Sequence, residues 1–185
     1  MIFYLSFDVE TDGPNVLQNS MISFGLVAYN ENGEEITTFQ RNIRPIDGHC
    51  ANQNTMNGFW LKNPKAWEFV NRNQVSPQQF VEDLHNFITE LKSNGSKGIV
   101  WMARPSAFDW MWLKTYYENF KKSNFVEIGH TAKCISTMFW MHVKNSKFSR
   151  EQENELWNRL TSGYQMTHNP VDDARFQGAL FFGLI

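Results

Sequence analysis

At 185 residues the chain is long enough for one domain that buries roughly 70% of its unfolded surface. Its 17 Lys and Arg against 19 Asp and Glu leave a net charge of −2, which excludes a protein that coats duplex nucleic acid through counterion release. A polynucleotide partner has to be gripped at a few phosphates, with cations supplying the missing positive charge.

No stretch approaches the length of a membrane span, and the first residues lack the basic region of a signal peptide. Cys50 and Cys134 form no C-x-x-C pair, so neither a zinc site nor a disulfide scaffold is expected. An intracellular, cytoplasmic setting fits this cysteine usage.

Ile2 to Phe7 is an apolar run that reads as a buried strand, ended by the acidic turn FDVETDGP at 7–14. Side chains alternate along a strand, so Asp8 and Glu10 project the same way. Neighbouring carboxylates repel, and desolvation at a strand end makes both anions costlier. A divalent cation between them relieves both effects, and hard oxygen ligands suit Mg2+ or Mn2+. A plain acidic strand end with a turn at Asp12-Gly13-Pro14 explains the same residues without a metal. The rest of the chain has to decide.

Met21 to Tyr29 is β-rich, Asn32-Gly33 marks a tight hairpin, and Ile36 to Ile43 alternates. With the first strand they predict a three-strand antiparallel meander. Asn63 caps a short helix that opens at Pro64. Ser76-Pro77 opens a longer one, with Gln79 at capping-box spacing. Phe80, Leu84, Phe87, Ile88 and Leu91 line its apolar face before Asn94-Gly95 ends it. Short strands are expected at Gly98–Ala103 and Phe125–Ile128, and helices over about 106–120, 131–142, 150–161 and 170–183. Strands first, then helix and strand in alternation, predict one α/β domain over 1–185 with a mixed sheet flanked by helices. The 15% aromatic content is expected mainly to fill its core.

Asp109 follows a strand at the start of a helix, a junction where a catalytic acid is often presented. Ser106, three residues earlier, gives a capping reading that is the better one for Asp109 taken alone. In HNPVDDAR at 168–175, Asn169 can cap a helix beginning at Pro170. His168 then lies just outside and Asp173 in the first turn, so both can look at a common point, while Asp172 simply complements the helix dipole.

Taken in order, DVETDG at 8–13, FDWMWL at 108–113 and HNPVDD at 168–173 resemble D-x-E-T-x-G, F-D-x-x-x-L and H-x-x-x-x-D. These are the three motifs of the DEDDh branch of the DnaQ-like 3′→5′ exonucleases, the relatives of RNase T and oligoribonuclease. The resemblance spans nearly the whole chain and implies an RNase H-like fold. It implies that Asp8, Glu10, Asp109 and Asp173 hold two divalent cations, Mg2+ or Mn2+, about 4 Å apart. His168 would take the proton from the attacking water, as an imidazole with an ordinary pKa near 6.5 can do. Nucleoside 5′-monophosphates would leave one at a time from single-stranded 3′ ends.

The segments WMARPSAFD, FWLKNPKAW and KCIST are similar to an exoribonuclease-like subgroup of small bacterial and phage enzymes, which favours RNA over DNA. Arg104-Pro105-Ser106 departs from the small polar stretch with Asn that commonly precedes the second motif. Expected substrate contacts are Thr11, Asp12 and Gly13 at the first turn, Phe108 beside Asp109, and Trp60 or Phe59 stacking on a base. Lys144, Lys147 and Arg150 form a basic loop able to meet backbone phosphates. The alternatives are DNA-end trimming or proofreading by the same centre, and a non-catalytic binding module on the same fold. All five motif side chains are present, which counts against the second. Relatives often form homodimers, and no residue here demands one.

Overall fold

The computed structural model describes residues 1–185. β1 (Ile2–Thr11), β2 (Met21–Tyr29) and β3 (Glu35–Asn42) form the antiparallel meander. The β2–β3 turn is held by Asn30, whose Oδ1 accepts from the N–H groups of Asn32 and Glu34. β4 (Gly98–Ala103) runs parallel to β1, and β5 (Lys133–Cys134) parallel to β4, giving the order β3-β2-β1-β4-β5.

The period of two along β1 sorts its side chains between two layers. Phe3, Leu5, Phe7 and Val9 enter a core with Phe24, Leu26 and Ala28 of β2. That core is closed by α3 (Pro77–Ser93) through Phe80, Leu84 and Ile88, and by α4 (Ser106–Phe120) through Trp112, Leu113 and Tyr116. Each such fully buried side chain contributes about 1.5–3 kcal/mol. The even positions Tyr4, Asp8 and Glu10 face the opposite layer. There α7 (Pro170–Phe182) packs Ala174, Leu180 and Phe181 against Val27 and Tyr29. α5 (Ile135–Asn145) and α6 (Arg150–Leu160) join this layer through Phe139, Trp157 and Phe176, whose rings meet at 5.2 and 5.7 Å.

A smaller cluster seats the segment after β3. α1 (Gln53–Gly58), a 3-10 turn at Trp60–Lys62 and α2 (Pro64–Val70) pack through Trp60, Ala66 and Val70 onto Ile22. α1 is an element the sequence pattern does not signal. It is six residues long, buries no side chain and depends on Asn52 accepting from Thr55 N–H. No helix is long and apolar enough to cross a membrane.

Three local expectations are corrected. Phe125–Ile128 is not a strand. Val126 donates its N–H to His85 Nδ1 and its carbonyl accepts from the Tyr117 hydroxyl, so neither group is left for a ladder. The fifth strand is instead the two residues Lys133–Cys134, and the following helix starts at Ile135 rather than 131. Asn63 precedes α2 without capping it, because its amide donates back to the Phe59 carbonyl. A full capping box forms at α6, between Ser149 and Gln152.

Candidate active site

β1 outlasts β4. The parallel pairing stops at Ser6–Met102, the chain leaves the sheet at Arg104-Pro105, and α4 begins. Past that point the β4 side of β1 has no strand to bond with, and the Val9 N–H goes to Asp109 Oδ1 at 3.2 Å. Asp109 is therefore not a helix cap: Pro105 precedes the helix and no side chain caps it. Its carboxylate is delivered to the end of β1 by the early end of β4.

α7 supplies the other side. Asn169 caps it by accepting from Val171 N–H at 3.1 Å. The helix start lies directly on β2, since a Cβ on Gly25 would stand 2.6 Å from the Pro170 backbone. Gly25 is the register partner of Asp8, so its missing side chain allows the first turn of α7 to approach the carboxylates. Asp173 accepts from Thr167 N–H at 2.7 Å and from His168 N–H at 3.3 Å. These bonds fold the 167–168 backbone around it and hold His168 at a left-handed φ of 60°, a conformation uncommon outside glycine.

His168, Glu10 and Asp173 thereby offer ligand atoms that all lie within 4.8 Å of one another. His168 Nδ1 is 3.7 Å from Glu10 Oε1, and its ring stands edge-on to Phe59 at 4.7 Å. Asp8 completes the group. Its Oδ1 accepts from Gln177 Nε2 at 2.8 Å, and Gln177 lies one helical turn after Asp173 on the same face of α7.

The electrostatics are those of a buried anion cluster. Asp8, Glu10, Asp109 and Asp173 are 9, 8, 3 and 1% exposed, and no lysine or arginine reaches any of them. Burial pushes the Asp8 carboxyl well up, reinforced by Asp109, Glu10 and Asp173 and partly opposed by the Gln177 amide. Glu10 is raised by burial and then by Asp173 and Asp109. Burial pushes Asp109 up to about 7 against the relief given by the Val9 N–H. Asp173 is also raised by burial, with its two backbone bonds opposing. Four buried carboxylates with no protein cation are a donor set of hard oxygens that fits divalent metal ions.

Beside the cluster a cleft of about 260 Å3 is lined by Val9, Glu10, Thr11, Gly13, Phe59 and Phe108. Thr11, Gly13 and Phe108 thus line the same cleft as Glu10. Two other expected contacts turn inward. Asp12 is 3% exposed and accepts from Ser20 N–H at 2.6 Å, closing the loop between β1 and β2. Trp60 is 1% exposed and donates to the Thr11 carbonyl at 3.0 Å, so it supports the cleft floor and cannot stack on a base. Phe59, its neighbour, lines the cleft together with Phe108. Lys144 and Lys147 are exposed around the end of α5 and are not part of this cleft's lining, and Arg150 pairs with Glu153 at 3.2 Å. Gln177 belongs to none of the three motifs; its only signal in the sequence is the spacing of four residues from Asp173.

The sequence profile of the Rv2179c-like 3′-5′ exoribonuclease domain matches residues 4–182. The chain belongs to that family. It is accordingly a 3′-5′ exonuclease domain. No curated protein matches it in sequence. Among solved structures, the nuclease domain of 3′hExo, a DEDDh family member bound to rAMP, superposes with a TM-score of 0.63 at 17% identity. The match covers 98% of this chain and 89% of that one. The E. coli ExoI–ssDNA complex in its zinc-bound form gives a TM-score of 0.68 at 15% identity, covering 98% of this chain but 40% of ExoI. A 3′-exonuclease in the 3′-end-specific recognition of a histone mRNA stem-loop gives 0.62 at 17% identity, covering 98% and 79%. These likenesses place the Rv2179c-like chain in the RNase H-like fold of the DEDDh exonucleases.

Proposed function

We propose that this single domain removes nucleoside 5′-monophosphates stepwise from single-stranded 3′ ends, RNA in preference to DNA, with divalent cations held by Asp8, Glu10, Asp109 and Asp173. The observation that carries the reading is the convergence of four buried carboxylates and one half-exposed imidazole on the end of β1. Mg2+ or Mn2+ bound there would supply charge stabilisation for the developing oxyanions and a more acidic water.

The chain's own residues account for the rest. With Nδ1 turned toward Glu10, His168 keeps Nε2 free to take a proton from water. The edge contact with Phe59 and the two backbone bonds to Asp173 fix the ring's approach. Phe59 and Phe108 flank the space for the terminal base and ribose, and Thr11 and Gly13 form its floor. The family's exoribonuclease profile supports RNA as the favoured substrate.

A ladder assay on 5′-labelled single-stranded RNA tests the reading. Shortening from the 3′ end is expected with Mg2+ or Mn2+, abolished by chelator, by Asp8→Ala and by His168→Ala. A matched DNA oligomer degraded faster than RNA would favour end trimming of DNA. Full activity in chelator would remove the metal reading.

A further inference from the structure

The C-terminal edge of the sheet carries a second feature besides the carboxylates. Arg104 directly follows β4, and Ser136 lies two residues past β5. Together with Arg150, Asn154 and Trp157 of α6 they line a cavity of about 400 Å3. Trp157 is wedged against Phe139 and Phe176, and the Arg104 guanidinium lies over its ring, 4.6 Å from the centroid.

Stacking occupies the face of a guanidinium and leaves its in-plane N–H donors pointing outward. No carboxylate or carbonyl accepts from those donors; burial depresses the Arg104 pKa, and the Cys134 side chain at the end of β5 partly opposes it. Half-buried arginines are ordinarily paired. The only acid in the cavity, Glu153, is already bonded to Arg150. The cavity lining therefore carries two guanidiniums against one carboxylate, with the Arg104 fork of donors unused, which matches a phosphate group.

Its position gives that phosphate a source. The cleft at Phe59 and Phe108 lies at the end of β1, and the Arg104 cavity lies past the ends of β4 and β5 at the same edge of the sheet. From β1 to β5 is two strand spacings, about 10 Å, the reach of one to two nucleotides. That spacing lets a strand with its last nucleotide in the cleft and its last phosphodiester at the carboxylates reach Arg104 with a phosphate further along. We propose that the Arg104–Trp157 cavity is a phosphate subsite for the substrate strand, taking the second or third phosphate on the 5′ side of the cleaved bond. This inference rests on the exonuclease reading above.

The test is the dependence of hydrolysis on substrate length. Wild-type kcat/KM is expected to be higher for a single-stranded pentanucleotide, which reaches the cavity, than for a dinucleotide, which does not. Arg104→Ala is expected to lower the pentanucleotide-to-dinucleotide ratio about tenfold, the loss of one charge-assisted hydrogen bond. Ser136→Asp should lower it as well. That change places an anion in the cavity, while an acid in the first turn of α5 favours the helix, so it reports even where Arg104→Ala fails to fold. A wild-type ratio near one, or a ratio that neither variant changes (the result for a cavity that takes a free anion or nothing), overturns the subsite. If the wild type cleaves neither substrate, the exonuclease reading falls. Anisotropy of a labelled pentanucleotide in chelator then decides the subsite separately: weaker binding by both variants keeps it and equal binding removes it.

Discussion

Gln177 ties its helix to the catalytic strand through one amide. It donates to Asp8 Oδ1 while its own Oε1 is buried without a partner. Gln177→Leu keeps the volume and removes the donor, so Asp8 loses a charge-assisted bond. A fall in kcat/KM of about tenfold is expected, measured in single-turnover hydrolysis at saturating Mg2+; an unchanged rate would reduce the amide to a space-filler. Adjacent acids of α7 separate as sharply. Asp173 is 1% exposed and holds two backbone N–H groups, whereas Asp172 pairs with Arg175 at 3.2 Å on the surface. Asp173→Ala should abolish hydrolysis. Asp172→Ala should keep it and cost at most about 1 kcal/mol of stability, the worth of an exposed pair. Activity lost in Asp172→Ala and kept in Asp173→Ala would invert the assignment.

Between elements, the decisive contact is α7 against the sheet. Gly25 allows that approach, and Arg175 pins the outer side of the helix by a forked pair to Glu35 at 2.9 and 3.0 Å. In Gly25→Ala the new methyl would have to displace the Pro170 backbone. Overpacking of this kind costs about 1–3 kcal/mol, and here the displaced segment carries His168 and Asp173. Thermal unfolding and hydrolysis are therefore expected to suffer together in Gly25→Ala. A variant with a wild-type melting curve and wild-type rate would show that the helix start has room to move. The other junction works by omission: β4 stops early, Val9 is left unpaired on that side, and Asp109 fills the gap.

Over the whole molecule, the four raised carboxyls link stability to pH and to cations. Below the ordinary carboxylate pKa near 4, folded and unfolded chains are both protonated. Between there and the raised values, about 7 for Asp109, the unfolded chain ionises while the folded one retains its protons. Stability then falls as pH rises through that window. In chelator, the cluster's contribution should make the protein melt lower at about pH 8 than at about pH 5. Saturating Mg2+ should raise the melting temperature more at about pH 8, because binding to the folded state alone stabilises it. Equal Mg2+ shifts at both pH values would mean that the cluster does not bind the ion.

Much of this was legible in order along the chain. Local periodicity and caps specify the meander, α3 and the start of α7, because strand alternation, Ser76 and Asn169 act within a few residues of themselves. The three motifs name Asp8, Glu10, Asp109, His168 and Asp173 for the same reason: each is a short pattern at an element's end. The fate of Trp60 was beyond such reading, since its indole answers to a carbonyl 49 residues away. Val126, satisfied by His85 and Tyr117 and so lost to the sheet, belongs with it. Gln177 and Arg104 acquire their meaning from Asp8 and Trp157, residues 169 and 53 positions distant. Burial and pairing across such separations are properties of the packed chain, and only the tertiary structure could decide them.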